Sequence, residues 1–498
     1  MAINCVESMN NTTIPELALK TLVRADSIKL KPFQLELSDS AERLHCHEMI
    51  RIIPGKRLVA LGIWDDKEVV AKLFYGRGKA KRHLERDVAG IDALMQANVP
   101  TPRILYKGSA SNQRIQIVLF EKINDAKSLE IIWQEQKDSD TFAKLMKKVI
   151  IELATQHVLG ILQRDLHLKN FLATDKRIYT LDGGGIEKFP DILDKNKSMD
   201  NLGLFFAQLG VGAEQLQRRL FKVYAKSRGW IVKQADIDFL TAAVISKNKE
   251  RWMRYKKKIM RTCSSFVRIK KLNQSISYDR EYQSDAFLNL LHDPEKFFTQ
   301  PNISFLKTGR SATVAKIILD GRALVVKRYN IKNGWHWLRR CLRATRAETS
   351  WRLSQKLRLF GISTAKPVAY VENRFFGLRG RSYFIMEYVA GQTLGEFFSN
   401  QGTKSDSHEA HIAKIVVNTL RNLGKLKITH GDLKMTNILI AGEQPVLIDL
   451  DGMCEHVTSF GFKRSFKKEV RRFMQNWNHQ PSVFALFQGL FFGKKGSL

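Results

Sequence analysis

Two short segments of the chain carry the same polar pattern. Gln163-Arg-Asp-Leu-His-Leu-Lys-Asn170 and His430-Gly-Asp-Leu-Lys-Met-Thr-Asn437 each place an Asn five residues after an Asp. Twelve residues beyond each Asn stands a second Asp: Asp182 in Leu-Asp-Gly-Gly and Asp449 in Ile-Asp-Leu-Asp-Gly. This grouping suits phosphoryl transfer, which needs positioning and charge neutralisation more than covalent chemistry. In such a site Asp165 and Asp432 would orient the acceptor hydroxyl and take its proton. Asn170 and Asp182, and likewise Asn437 and Asp449, would offer Mg2+ the hard oxygen ligands it prefers. Each motif alone has a plainer reading, since an Asp-x4-Asn is commonly a turn or a cap and an Asp before three glycines a tight turn. Recurrence in the same order at the same spacing favours the chemical reading.

The elements that must position these residues also recur. Upstream of each loop is a β-rich segment with one Lys, Val69-Val-Ala-Lys72 and Leu324-Val-Val-Lys327. A lone Lys in an apolar strand is usually a snorkelling residue, but a strand-borne Lys is also what the α- and β-phosphates of a nucleotide require. Predicted helices follow and lead to Asn98-Val-Pro-Thr-Pro102 and Gly361-Ile-Ser-Thr-Ala-Lys-Pro367. Thirteen residues before these stretches stand Glu85 and Glu348, the expected helix partners of the two lysines. Two apolar strands then end in acids, Ile117-Val-Leu-Phe-Glu121 and Phe384-Ile-Met-Glu387, and Glu121 and Glu387 join the expected cofactor-binding set. From these acids to the first Asp is 44 residues in one half and 45 in the other. Loops that would cover phosphates are glycine-poor: Lys307-Thr-Gly-Arg-Ser-Ala-Thr-Val314 in the second half, only Ile53-Pro-Gly-Lys-Arg57 in the first. Glycine supplies the backbone freedom such a loop uses. The expected organisation is an N-terminal extension over 1–40, a first module over 41–293 and a second over 294–498, with the boundary at a Pro-rich polar stretch near His292-Asp-Pro-Glu.

Composition narrows the partners. The 498 residues are 44% hydrophobic and 26% charged, which excludes a wholly disordered, collagen-like or disulfide-stapled chain. A net charge of +33 points to a polyanion: nucleic acid, an anionic membrane face or a phosphorylated substrate. The basic residues cluster in Arg251–Arg261, Arg339–Arg346 and Lys463–Arg472, where Trp and Phe lie among them; each run is read either as a solvated helix face or as a docking surface. No helix-turn-helix, RNA-recognition or zinc-finger signature is present, so nucleic acid is disfavoured. Five scattered cysteines argue for a reducing compartment and against a zinc cage. His45-Cys-His47 is disfavoured as a metal site because adjacent residues on an element point apart. The start of the chain lacks a basic segment followed by an apolar one, so a secretory signal is not expected. The apolar runs Leu202–Leu209 and Val483–Phe492 are too short to span a bilayer.

With these residues in view, the chain resembles the bacterial lipopolysaccharide core kinases, the heptose and 3-deoxy-octulosonate (Kdo) kinases, whose fold is similar to that of protein kinases. The resemblance rests on Val70-Ala-Lys-Leu-Phe74, Asn98-Val-Pro-Thr-Pro102, Arg164-Asp-Leu-His-Leu-Lys-Asn-Phe-Leu172, Leu181-Asp-Gly-Gly184, Asp200-Asn-Leu-Gly-Leu-Phe-Phe-Ala-Gln-Leu209 and Arg261-Thr-Cys-Ser-Ser-Phe266. In the second half it rests on His430-Gly-Asp-Leu-Lys434, Asn437 and Ile448-Asp-Leu-Asp451. It covers roughly 45–270 and 305–475, and its motifs specify the superfamily more strongly than the lipopolysaccharide branch.

The resemblance implies an α+β fold of two tandem protein-kinase-like bilobal modules, each with a β-rich N-lobe and a helical C-lobe. It implies ATP and Mg2+ as cofactors, a heptose or Kdo hydroxyl of the lipopolysaccharide inner core as acceptor, and a peripheral location at the cytoplasmic face of the inner membrane. By position, Asp165 and Asp432 become catalytic, Lys72 and Lys327 phosphate-contacting, and Asn170, Asp182, Asn437 and Asp449 magnesium ligands. Tandem modules and the short chain after Asp449 depart from the family pattern, so the active module stays open, as does the oligomeric state. A pseudokinase scaffold and a kinase for another small molecule or a protein remain alternatives. The lack of an Ala-Pro-Glu segment after either magnesium Asp tells against an ordinary protein kinase.

Overall fold

The computed structural model describes residues 31–76, 78–111, 114–136, 139–301, 303–331, 333–338, 341–399 and 406–493. Most of the expected N-terminal extension, and Arg339 and Arg340 of one basic run, lie outside the described residues. The chain divides into two compact units, one of residues up to Gln208 with Leu216–Lys247, the other of Leu209–Gln215 with Asn248 onward.

The first unit is built on a six-stranded antiparallel sheet. Its strands run in the order Phe33–Leu35, Leu44–Ile53, Arg57–Trp64, Lys67–Phe74, Gln116–Glu121, Ile104–Ser109. Alternation decides what each face holds. In Lys67–Phe74, Val69, Ala71 and Leu73 are buried in one core with Leu35, Leu58 and Leu119. The opposite face carries Val70, Lys72 and Phe74. There the helix Ala80–Gln96 supplies Leu84, Val88, Ile91 and Leu94 to a second core with Phe74, Val118 and Phe120. Lys72 therefore lies on the helix-covered side of the sheet. Two small antiparallel pairings follow: Phe171–Ala173 with Ile178–Thr180, and Ile161–Gln163 with Ile186–Lys188.

The second unit repeats this order. Its seven-stranded antiparallel sheet runs Phe266–Lys270, Gln274–Asp279, Pro367–Phe375, Leu378–Glu387, Arg322–Tyr329, Ala312–Leu319, Ser304–Thr308. Leu324 and Val326 face one core, while Lys327 shares the other face with Tyr329. The helix Arg346–Leu359 brings Trp351 onto that face. Ile438–Ala441 then pairs with Gln444–Leu447, and Ile428–Thr429 with Cys454–Glu455.

The division falls before the expected 293/294 boundary. Phe266–Lys270 and Gln274–Asp279 belong to the second sheet, Gln274 lying opposite Asn373. The Pro-rich stretch taken for a linker is a junction between the helix Asp285–His292 and a 3-10 turn over Pro294–Thr299, with Phe297 fully buried. Apolar residues within the polar run, Phe297 above all, bring it into the core. Among the described residues no helix is long and apolar enough to cross a membrane.

Candidate active site

In the first unit, Lys72 Nζ lies 3.3 Å from Asp182 Oδ1 and 2.8 Å from Asp87 Oδ2. The first contact joins two residues that the sequence pairs by motif; the second corrects the expected helix partner. Glu85 is exposed, whereas Asp87 is 1% exposed and shares the helix's inner face with Leu84, Val88 and Ile91. At 100° per residue, position 85 turns away from the sheet when 84, 87, 88 and 91 face it. That periodicity was the available signal for Asp87.

Asp87 also accepts the Gly184 amide at 2.9 Å through Oδ1. The helix and the Asp182 turn meet backbone to backbone. A Cβ on Gly90 would overlap the Gly183 carbonyl, and one on Gly183 would overlap the Asp87 carbonyl. The glycines after Asp182 thus do more than turn the chain. Asp182 itself adopts a left-handed conformation, φ 65°, which aims its carboxylate back at Lys72. Burial would raise its pKa, but the charges of Lys72 and of Arg57, 3.9 Å away, outweigh that and hold it well below the carboxylate range. Asp87 is pushed up by burial against the pull of Lys72. Arg57, at the end of the Ile53–Arg57 loop, is a site residue the sequence reading did not single out.

The second unit assembles the same centre differently. Lys327 pairs with Asp449 and lies 3.5 Å from Asp451 Oδ2. Glu348, its expected partner, instead approaches Arg379 at 3.4 Å and Arg352 at 3.9 Å. The position matching Asp87 is Ser350, eleven residues before Gly361 as Asp87 is before Asn98. Its hydroxyl meets Tyr329 at 3.1 Å and carries no charge. Asp451 stands where the first unit has Gly184, so the second carboxylate comes from the loop rather than the helix. Asp451 is pushed up to about 6 by burial and its hydrogen bond to Asp449. Burial opposes ionisation of Asp449 too, yet that bond and Lys327 bring it down to about 2. Asp449 is also left-handed, φ 58°.

The Asp–Asn loops are closed identically. Asn170 Nδ2 donates to the Asp165 carbonyl and Asn437 Nδ2 to the Asp432 carbonyl, both at 2.8 Å. The Asn carbonyls accept the Leu181 amide at 2.8 Å and the Ile448 amide at 3.0 Å. Each Asn is thereby held beside the residue preceding its Asp182 or Asp449. With the amide nitrogens engaged, the side-chain oxygens of Asn170 and Asn437 and the carboxylates of Asp182 and Asp449 are hard-oxygen donors of the kind Mg2+ prefers. Among the described residues no three His, Cys, Asp or Glu side chains converge as a metal cluster, the His45–His47 stretch included.

The two loops are anchored by different chemistry. In the second unit Glu469, buried on the helix Ser459–Gln475, accepts the His430 and Gly431 amides at 2.9 and 2.5 Å. His430, fully buried, contacts the Ile448 carbonyl at 3.0 Å through Nε2, and burial lowers its pKa. In the first unit Gln163 takes the place of His430, and Asn201 Nδ2 donates to its carbonyl at 2.8 Å. Asn201 meets His157 Nε2 at 3.1 Å, and His157 Nδ1 meets the Tyr224 hydroxyl at 2.6 Å.

Asp165 is 70% exposed in its side chain, with His167 Nε2 3.7 Å away. Asp432 is held by Lys434 at 3.0 Å and Arg472 at 2.6 Å. Glu121 and Glu387 do not join the lysines. Glu121 accepts the Arg103 amide and Nε, both at 2.9 Å, and Glu387 is engaged by Tyr282 and, at 3.7 Å, Lys366. As the last residues of sheet strands they are tied to neighbouring backbone and cations. The segments expected to cover phosphates are both turns leading toward the Lys strand: Pro54–Lys56 precedes Arg57–Trp64, and Gly309–Ser311 joins Ser304–Thr308 to Ala312–Leu319.

A strand Lys, a turn Asp and a closed Asp–Asn loop are the parts that phosphoryl transfer uses. Comparison with known families agrees for the second unit: residues 307–476 match the model of the protein kinase domain. This supports the protein-kinase-like superfamily for that part of the chain. A similar curated protein is Serine/threonine-protein kinase RAD53 of Saccharomyces cerevisiae, 29% identical over 82 residues, which are 16% of this chain and 9% of the yeast protein.

Proposed function

We propose that the chain is an ATP- and Mg2+-dependent phosphotransferase built of two protein-kinase-like modules, with a sugar hydroxyl of the lipopolysaccharide inner core, heptose or Kdo, as acceptor at the cytoplasmic membrane face. The observation that carries the phosphotransferase reading is the double assembly of Lys72 with Asp182 and Lys327 with Asp449. These pairs join residues 110 and 122 positions apart, and a repeat of that span is hard to obtain without a shared task. Mg2+ would supply charge neutralisation of the triphosphate, held by Asn170 and Asp182 or by Asn437 and Asp449. The chain's own part is to seat the phosphates by Lys72 or Lys327 and to receive the hydroxyl proton on Asp165 or Asp432. The acceptor oxygen bonds to the γ-phosphorus as the β,γ-bridging bond breaks and ADP departs with its electron pair. The sugar acceptor is supported by the resemblance of the first half, and the membrane face by the net charge of +33.

A protein hydroxyl is the second reading, favoured by the match of 307–476 to the protein kinase domain. The test is incorporation of labelled γ-phosphate into core lipopolysaccharide and into a mixed protein substrate by wild type, Asp165→Asn, Asp432→Asn and the double variant. We expect label in the lipopolysaccharide and its loss in the double variant, with the single variants naming the working unit. Label in protein alone selects the second reading. Undiminished transfer by the double variant refutes both.

A further inference from the structure

The helix Ser459–Gln475 carries six cations: Lys463, Arg464, Lys467, Lys468, Arg471 and Arg472. All are exposed. Its one acid, Glu469, is buried and spent on the His430 and Gly431 amides. Those bonds fix the helix against the Asp432 loop. Three residues on, Arg472 reaches Asp432 Oδ1 at 2.6 Å, while Lys434 takes Oδ2 at 3.0 Å. Both oxygens of the carboxylate that would receive the acceptor's proton are already engaged by cations.

Lys468 and Arg464 precede Arg472 at successive steps of four. Residues so spaced form a continuous ridge on a helix, each step rising about 6 Å. Among the described residues no carboxylate pairs with Arg464, Lys467, Lys468 or Arg471. A line of unneutralised charge thus ends at the candidate catalytic carboxylate. A solvated helix face explains exposed cations; it does not explain why the line terminates on Asp432. Arginine's planar fork matches phosphate and carboxylate oxygens two at a time.

We propose that this ridge is the acceptor-recognition surface of the second unit and that its acceptor bears phosphate or carboxylate groups beside the hydroxyl to be phosphorylated. Resting on the phosphotransferase reading above, we add that such an acceptor releases Asp432 by drawing Arg472 to its own anion. Asp432 Oδ1 then accepts the hydroxyl proton as the oxygen bonds to the γ-phosphorus of ATP and ADP leaves with the electrons of the broken bridge. Without an anionic acceptor Arg472 stays on Asp432, and transfer to water is held back.

The first arm measures binding of inositol hexakisphosphate to the full chain by calorimetry without nucleotide. Arg464→Gln with Lys468→Gln should weaken it about fivefold or more, the loss of two exposed charge contacts. A control, Lys270→Gln with Lys271→Gln at and just past the end of the strand Phe266–Lys270 in the same unit, should change it less than about twofold. Equal weakening by both pairs overturns the proposal, because bulk charge would then suffice. Displacement of the probe by glucose 6-phosphate marks a soluble acceptor, and displacement by phosphatidylglycerol vesicles a lipid-borne one; failure of both overturns the ridge as a phosphate site.

The second arm measures acceptor-free ATP hydrolysis. Arg472→Gln should raise it about threefold or more, as loss of a charge-assisted contact worth about 1 kcal/mol permits, while Arg472→Lys restores the wild-type rate. No rise overturns the release of Asp432. A chain that binds the probe as expected yet labels neither core lipopolysaccharide nor protein, and hydrolyses no ATP even as Arg472→Gln, refutes the phosphotransferase reading and leaves recognition by the ridge standing.

Discussion

Replacing Asp87 is the sharpest test of how the first unit is held together. Its carboxylate is 1% exposed, bonds Lys72 at 2.8 Å and accepts the Gly184 amide at 2.9 Å. Asp87→Ala leaves an ammonium short of one partner and the half-buried Gly184 amide without its carboxylate acceptor. Breaking a buried ion pair costs about 3–5 kcal/mol, and an orphaned amide about 1–3 kcal/mol. Lys72 keeps Asp182 at 3.3 Å, so the lower end applies and we expect a loss of about 3 kcal/mol. Asp87→Asn retains an acceptor for Gly184 and should lose about 2 kcal/mol. A chain of two units need not unfold in one transition. The assay is therefore native-state hydrogen exchange of the helix Ala80–Gln96, where 3 kcal/mol appears as about a hundredfold faster exchange in Asp87→Ala. Glu85→Ala, on the exposed face, should stay within about 0.5 kcal/mol of wild type. Equal effects at the two positions, or less than about 1 kcal/mol for Asp87→Ala, would refute the assignment.

Three further outcomes follow from the packing and the buried groups. Gly183→Ala forces a methyl onto the Asp87 carbonyl and should cost about 2–4 kcal/mol by separating helix and turn, read as a fall in the thermal midpoint. Burial lowers the pKa of His157 from 6.5 to about 4, so the unfolded chain binds a proton there that the folded chain does not. Its contribution is present above pH 6.5 and is lost as pH falls toward 4, in total about 3 kcal/mol; His157→Gln should flatten that part of the pH–stability curve measured by urea titration. Glu348→Gln should leave nucleotide affinity nearly unchanged, since Glu348 serves Arg379 and Arg352, whereas Asp451→Asn should alter it when titrated with a fluorescent ATP analogue.

Much of the site was legible because its parts are short-range. The Asp–Asn spacing is the span of a loop that the Asn side chain closes onto the Asp carbonyl. The strand lysines are marked by the apolar residues that precede them, and their place on the helix-facing side follows from alternation. These features need only local geometry, and the chain repeats them.

Which acid completes each centre was not legible by spacing alone. Glu85 and Glu348 share an interval, yet helix rotation turns one to solvent and a neighbouring Arg379 claims the other. Asp87 and Asp451 take their roles from different elements, because the first unit keeps its turn free for the helix with Gly183 and Gly184 while the second places a carboxylate there. Glu469 and Arg472 reach the Asp432 loop from a helix nearly 40 residues downstream. The pairing of Phe266–Lys270 and Gln274–Asp279 into the second sheet likewise depends on partners about a hundred residues away. The sequence alone determined the chemistry on offer and the local loops that present it. Only the tertiary structure decided which charges meet, because an ion pair is selected by distance and burial, and neither is written along the chain.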